Sequence, residues 1–170
     1  ETKLQLVNEL PIEVWFHTNA AASETNFEVP LLNLLHPKTL VLLDRGFYHF
    51  QFFQQLIDQE VHFITRLKAK ASIKYLKIFS YDYAVKDRLI QLGTVRRGAP
   101  VLTLRLIEIK LEQTTYSYIT SVLDPHILLP YVVADLYRRR WRIEEAFYTV
   151  KRLLGLSYLW TGSINGVKLQ

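Results

Sequence analysis

The chain contains no cysteine among its 170 residues. This excludes disulfide bonds, thiolate metal sites and a cysteine nucleophile, and it agrees with a reducing cytoplasm. No apolar run is long enough to span a bilayer, and the N-terminus lacks the charged start, apolar middle and cleavage site of a signal peptide. We therefore expect a cytoplasmic protein that has no membrane partner.

Several common catalytic motifs are also lacking. The five histidines show neither HxxxH nor HxH spacing, so a zinc-hydrolase motif is absent. There is no glycine-rich phosphate loop, no dinucleotide fingerprint, no GxSxG elbow and no internal repeat. These absences argue against a nucleotide-hydrolysing motor.

What the chain does contain is a core and an excess of positive charge. The apolar fraction of 49% and the aromatic fraction of 13% fit one folded domain. Lysine and arginine outnumber aspartate and glutamate by 21 to 16, and the cations are densest in residues 137–152, with a second run at 66–77. This distribution favours nucleic acid over a small acidic ligand as the partner.

The basic cluster carries one line of polar groups. At roughly 100° per residue, Tyr137, Arg140, Glu144 and Lys151 fall within about 60° of arc on a helix that we predict from Pro130 to about residue 154. An arginine and a glutamate four residues apart are often only an ordinary surface pair. Here, however, further cations crowd the acid and favour an external polyanion; they are Arg138, Arg139, Arg142 and Arg152.

The rest of the pattern predicts an α/β protein. Residues 3–7 and 12–18 alternate as two strands, a helix follows at about 27–35 with Ser23 or Thr25 as its cap, and TLVLLD reads as a central strand that ends at Asp44. A helix at 48–59 and the strand VHFITRLK complete a strand, helix, strand succession. Residues 67–120 look β-rich, with a hairpin at 112–114. We divide the chain into residues 1–66, a β-rich insertion at 67–122, and a final segment at 123–170.

Asp44 and Glu144 are the candidate acids. Alone, Asp44 is more simply a turn or helix cap. A carboxylate at a strand end and one on a helix can nevertheless converge on a divalent ion, because Mg²⁺ takes one or two carboxylates and leaves its other positions to water and phosphate.

These residues resemble the bacterial insertion-sequence DDE transposases, whose signature is Y-x2-R-x3-E-x6-K. Tyr137, Arg140, Glu144 and Lys151 match its four positions, and LVLLDRGFY at residues 40–48 is similar to the segment with the family's second catalytic aspartate. The resemblance implies an RNase H-like catalytic core, with a β-rich insertion before the final long helix. It also implies Asp44 and Glu144 as ligands of two Mg²⁺ or Mn²⁺ ions, and Tyr137, Arg140 and Lys151 as phosphate contacts.

The implied activity is DNA transposition, in which the element's DNA end is cleaved and its 3′ hydroxyl attacks target DNA. The implied partners are the transposon ends and the target, with a homodimer in the full-length protein and a nucleoid-associated location in bacteria. Arg138, Arg142 and Arg152 are expected to add to DNA binding.

One departure concerns the first acid. No aspartate precedes Asp44, so the triad is incomplete and the resemblance implies a fragment that lacks the first strand of the core. We expect it to be inactive alone, and to be marginally stable or self-associating because strand edges are left unpaired. Two alternatives stay open: a non-catalytic DNA-binding module that uses the basic 137–152 helix, and a fragment that is neither stable nor functional.

Overall fold

The computed structural model describes the backbone of Thr2–Val7 and Leu10–Phe16, then residues 24–94 and 98–142, and residues 145, 148, 149 and 152 beyond them. Side chains are described from residue 25 onward within these ranges. The chain divides into two compact units, Ser23–Arg138 and a second unit formed by Glu1–Ala22 with Arg139–Gln170. Within the described residues, no helix is both long and apolar enough to cross a membrane.

The second unit begins with a two-stranded antiparallel sheet. Strand β1 (Thr2–Val7) pairs with β2 (Leu10–Phe16), with Lys3 opposite Trp15 and Val7 opposite Leu10. The register shifts once, between Leu4 and Leu6. This confirms the hairpin that the alternation of apolar residues predicts.

The unit Ser23–Arg138 is built on a mixed six-stranded sheet. Its strands are β3 (Leu40–Leu42), β4 (His62–Arg66), β5 (Ile73–Tyr81), β6 (Val85–Leu92), β7 (Leu102–Leu111) and β8 (Thr114–Thr120). Their order is β3-β4-β8-β7-β6-β5. Only β3 and β4 are parallel, and every other neighbouring pair is antiparallel. The α/β class is confirmed, and the sheet runs without interruption across the predicted boundary between residues 66 and 67.

Three helices accompany this sheet: α1 (Glu28–Leu34), α2 (Phe50–Asp58) and α3 (Pro130–Arg139). A 3-10 turn at Glu24–Phe27 precedes α1, whose cap residue is Phe27 and makes no side-chain capping bond. Of the two predicted caps, Ser23 lies outside the described residues, and Thr25 lies within the 3-10 turn before α1. Pro130 begins α3 as predicted, since its missing N–H costs nothing in a first turn.

Strand β3 corrects the expectation of a central strand. It has three residues, is partly exposed and forms one end of the six-stranded sheet, where it pairs with β4. An apolar run indicates that both faces of a strand are covered. It does not indicate whether the strand has a hydrogen-bonded neighbour on each of its two edges. The pattern of residues 39–44 therefore predicted the strand correctly and its place in the sheet wrongly.

The long helix predicted from Pro130 to about residue 154 is interrupted. Helix α3 ends at Arg139 and Arg140 lies in a turn, whereas the described residues beyond it, which are 141, 142, 145, 148, 149 and 152, are helical. Arginines surround this break, and like charges one turn apart disfavour a continuous helix. Because of the break, no single described α-helix carries the whole line from Tyr137 to Lys151.

Both faces of the sheet are covered near β4, whose three central residues are buried. On one face, Phe53 of α2 stacks on Phe63 with ring centroids 4.6 Å apart. On the other, Val133 and Tyr137 of α3 join a cluster; its strand and loop members are Ile64, Ile107, Ile109, Tyr118, Val122 and Leu128. Alternate residues of one strand thus face different helices, which is the layered packing expected of an α/β unit.

Candidate active site

Asp44 lies two residues beyond the end of β3 and is partly exposed. Its Oδ1 accepts a hydrogen bond from the backbone N–H of Arg45 at 2.5 Å, and its carbonyl accepts one from the N–H of Phe47 at 3.1 Å. Asp44 is therefore the cap of the 3-10 turn Arg45–Phe47. Capping leaves metal binding open, because an ionised carboxylate has about four lone-pair sites.

Tyr137 reaches the residue next to Asp44. Its hydroxyl donates a hydrogen bond to the carbonyl oxygen of Leu43 at 3.3 Å, and its ring lies 5.4 Å from that of Tyr118. The side chain is only 4% exposed. Helix α3 is thereby attached to the strand end that bears Asp44, and the side chain of Tyr137 takes part in the protein core.

The arginines predicted for DNA binding are mostly exposed. Arg138 is paired with Asp135 at 2.9 Å, and its side chain is 81% exposed. The guanidinium carbon of Arg140 lies 5.1 Å from the centre of the Trp141 ring, while Arg142 and Arg152 lie at the surface. Glu144 and Lys151 lie outside the described residues. Of the predicted site residues, the described structure therefore brings two close together: Tyr137 contacts Leu43, which directly precedes Asp44.

Comparison with known families adds the deciding observation. Residues 6–166 match the family model described as "Transposase DDE domain", which covers the end of β1, all of β2, the six-stranded sheet, the Asp44 turn and the signature residues. The chain belongs to the transposase DDE domain family. This confirms the family that Tyr137, Arg140, Glu144 and Lys151 had indicated.

One curated relative of this transposase-family chain comes from Sinorhizobium fredii and is named "Putative transposase y4zB". The two sequences are 25% identical over 134 residues, which is 76% of this chain. The chain spans 38% of the length of that relative.

Proteins of this family generally use divalent metal ions and act on DNA. Among the described residues there is no group of three or more histidines, aspartates or glutamates that could by itself enclose a metal. Asp44 nevertheless fits a ligand role, because its hard oxygens lie at a partly exposed strand end and Mg²⁺ needs only one or two carboxylates beside water and phosphate.

A buried ion pair between Arg105 and Asp87 contacts the segment that precedes α3. Arg105 donates from Nε and Nη2 to the two carboxylate oxygens of Asp87 at 2.7 and 2.6 Å, and the two side chains are 0% and 2% exposed. Its Nη1 donates to the carbonyl oxygen of Leu128 at 2.6 Å, two residues before α3. Because every charge is matched by short hydrogen bonds, the pair ties β6 and β7 to the start of this helix.

Sequence reasoning missed this pair. Arg105 lies between Leu104 and Leu106 at the polar position of an apolar–polar alternation, which is typical of an exposed side chain, yet both Arg105 and Asp87 are buried. A charged residue on the buried face of a strand requires a partner. The partner could not be identified from one sequence because the pairing register of β6 and β7 was unknown.

Two further contacts support the segment after Asp44. Glu28 of α1 is buried, and its carboxylate lies 3.1 and 3.2 Å from Nδ1 of His49, the residue before α2. Burial raises the pKa of Tyr48 to about 12, against a smaller lowering by the nearby backbone of Lys68. Nothing in the spacing of Glu28 and His49, 21 residues apart, could have revealed their contact.

Proposed function

We propose that this chain is the catalytic portion of a DNA transposase that cleaves the end of its element and joins the 3′ hydroxyl to target DNA. The observation that carries the proposal is the attachment of α3, through Tyr137, to the strand end bearing Asp44. The signature glutamate Glu144 follows α3 by five residues in the sequence. Asp44 and Glu144 are the proposed metal-binding acids.

The proposed core is RNase H-like. Support comes from the parallel pair β3 and β4 with α2 between them in the chain, and from helices on both faces of the sheet near β4. Strands β5 to β8 correspond to the predicted β-rich insertion at 67–122, although the boundaries 1–66, 67–122 and 123–170 stay predictions.

Each residue has a proposed part. Asp44 and Glu144 would hold Mg²⁺ or Mn²⁺, two ions in the complete site, and the metal would supply activation of the attacking oxygen and stabilisation of the leaving oxygen. Arg140 and Lys151, with Arg138, Arg142 and Arg152, would neutralise the phosphates of the transposon end. Tyr137 was predicted as a phosphate contact; its burial and its bond to Leu43 favour a part in placing the Asp44 turn.

This proposal leaves one acid unassigned. The sequence contains no aspartate before Asp44, so these 170 residues alone are expected to be inactive in cleavage. For the full-length protein, we also propose that it forms a homodimer on DNA and is located at the bacterial nucleoid.

The experiment compares DNA-end nicking by the 170-residue chain and by the protein expressed from its complete gene, with Mg²⁺ or Mn²⁺. We expect nicking only in the latter, and its loss in Asp44→Asn and Glu144→Gln with DNA binding retained. Asp58→Asn is the matched control, because Asp58 is an exposed acid at the end of α2. Full nicking by either acid variant would refute the assignment of that residue.

The second candidate is a non-catalytic DNA-binding module that uses the basic segment 137–152. The exposure of Arg138, Arg142 and Arg152 favours it. It predicts salt-dependent, sequence-independent binding that persists when EDTA removes divalent metal, and no nicking by the complete protein.

A further inference from the structure

A patch of tyrosines and cations covers one face of the sheet near its β5 edge, on a different part of the fold from Asp44. Tyr75 and Tyr81 of β5 and Tyr83 of the following turn are 55%, 61% and 82% exposed. Lys86, Arg88 and Lys110 complete the patch, which we call the tyrosine–lysine face. Tyrosine is an unusual residue to leave so exposed at three neighbouring positions, because its ring adds a large apolar area to the surface.

Strand register places these residues on one side of the sheet. Tyr81 is opposite Lys86, Lys86 is opposite Glu108, and residues two apart along a strand share a face. Arg88 therefore lies on the same side as Lys86, and Lys110 on the same side as Glu108. The paired positions form one continuous surface across β5, β6 and β7.

Each tyrosine ring has a cation beside it. The guanidinium carbon of Arg88 lies 4.3 Å from the ring centre of Tyr75 and 5.9 Å from that of Tyr81. Lys86 Nζ lies 5.0 Å from the Tyr81 ring centre. Lys110 Nζ lies 3.9 Å from the ring centre of Tyr83 and also donates a hydrogen bond to its hydroxyl. The cations orient the rings on the sheet, while more than half of each tyrosine stays accessible to solvent.

The charge of this face is positive. The carboxylate of Glu108 is paired with Arg88. The positive charges of Lys86 and Lys110 are therefore not balanced by Glu108. The nearby Asp82 accepts hydrogen bonds from the N–H groups of Ala84 and Val85 at 2.8 and 2.7 Å, which fixes its carboxylate in the turn. Accessible aromatic rings between lysines fit a ligand that alternates flat bases with phosphates.

We propose that the tyrosine–lysine face binds a single-stranded DNA segment, with bases stacking on Tyr75, Tyr81 and Tyr83 and phosphates contacting Lys86 and Lys110. Bases in a duplex are stacked on each other, so their faces reach a flat aromatic surface only when the strand is unpaired. Tyr75 and Tyr81 are six residues apart on one strand, which corresponds to about 20 Å and gives space for several nucleotides. This inference rests on the proposed function, because it takes DNA as the substrate. It concerns a different surface from the one around Asp44.

A second copy of the chain is the competing occupant, since β5 is an end strand of the sheet. Lys74 and Lys77 lie exposed on this strand. Lysines on an edge strand disfavour pairing with another strand, because association would bring like charges together. The charge therefore favours the nucleic acid.

The test measures fluorescence anisotropy of a dye-labelled oligothymidylate and of a labelled duplex, both in EDTA, with the 170-residue chain. For the combined variant Tyr75→Ser and Tyr81→Ser, we expect the Kd for the oligothymidylate to rise about tenfold or more, while the duplex Kd changes little. Lys110→Gln should lower the slope of log Kd against log salt for the single strand by about 1. The matched control is Tyr131→Ser, which removes a tyrosine that is 59% exposed on α3.

Several outcomes would overturn the inference. They are failure of the parent chain to bind the oligothymidylate, an unchanged Kd in the double variant, or an equal loss in Tyr131→Ser. If sedimentation shows that the parent is a dimer and the double variant a monomer with the same Kd, the face is a self-association surface. Nicking by the complete protein reports separately on Asp44, so either proposal can fail while the other stands.

Discussion

The hydroxyl of Tyr137 donates a hydrogen bond to the carbonyl oxygen of Leu43, a residue 94 positions earlier in the chain. Asp44 follows Leu43 directly, so one side chain of α3 contacts the backbone that positions the candidate catalytic acid. The contact is buried and is supported by the packing of Tyr137 against Tyr118. It connects the first residue of the family signature to the segment around Asp44, for which we propose the role of the family's second aspartate.

Removing this contact should lower stability in two steps. Tyr137→Phe keeps the ring and loses the hydrogen bond, so we expect a loss of about 1 kcal/mol in the free energy of unfolding. Tyr137→Ala also leaves a cavity and should cost about 3–5 kcal/mol. Urea unfolding followed by circular dichroism measures both, with the exposed Tyr131→Phe as the neutral control. A Tyr137→Phe variant as stable as the parent would show that the hydrogen bond contributes nothing.

The buried pair of Asp87 and Arg105 should be far more sensitive than a surface pair. Asp87→Ala leaves the Arg105 charge buried without its carboxylate, and we expect a loss of about 3–5 kcal/mol. Asp135→Ala removes the partner of the exposed Arg138 and should cost about 0–1 kcal/mol. Chemical unfolding of the two variants provides the comparison. Equal losses would contradict the structural importance of the buried pair.

Tyr48 should make stability fall at high pH. Because the folded pKa of about 12 lies above the unfolded value near 10, the unfolded chain releases this proton first as the pH rises. The contribution is therefore fully present below pH 10 and is lost as the pH approaches 12. Between pH 8 and about pH 11, the unfolding free energy of the parent should therefore fall relative to that of Tyr48→Phe. Parallel curves for the two proteins would show that Tyr48 keeps its ordinary pKa when folded.

The exposed arginines of the basic segment should contribute to DNA affinity through phosphate contacts. Arg142→Ala and Arg152→Ala should each weaken binding to all duplex sequences and lower the salt slope of log Kd by about 1. Lys38→Asn is the control, since it removes one exposed positive charge from a turn where asparagine tolerates the φ of 65°. Duplex DNA titrations at several salt concentrations measure the slope for each variant. Equal slopes for Arg142→Ala, Arg152→Ala, Lys38→Asn and the parent would exclude both arginines from the interface.

Local patterns predicted local structure well. The hairpin of residues 2–16, the helix α2, the strand β4 and the β7–β8 hairpin all follow from alternation or helical spacing together with turn residues. Strand β5 was missed as a separate element because lysines and tyrosines on an exposed strand dilute the apolar alternation, and β6 was missed because three successive charged residues, Lys86, Asp87 and Arg88, interrupt it. The break at Arg140 was missed as well, since a helical wheel assumes a continuous helix.

The amino-acid sequence by itself determined the family, through the signature residues and the segment around Asp44. It also determined the α/β class and the positive charge. Only the tertiary structure decided that β3 is an end strand, that Tyr137 lies in the core against Leu43, that Asp87 pairs with Arg105, and that the tyrosines of β5 share a face with Lys86 and Lys110. Each of these depends on strand register and on contacts between residues distant in the chain, which spacing along a single sequence does not specify.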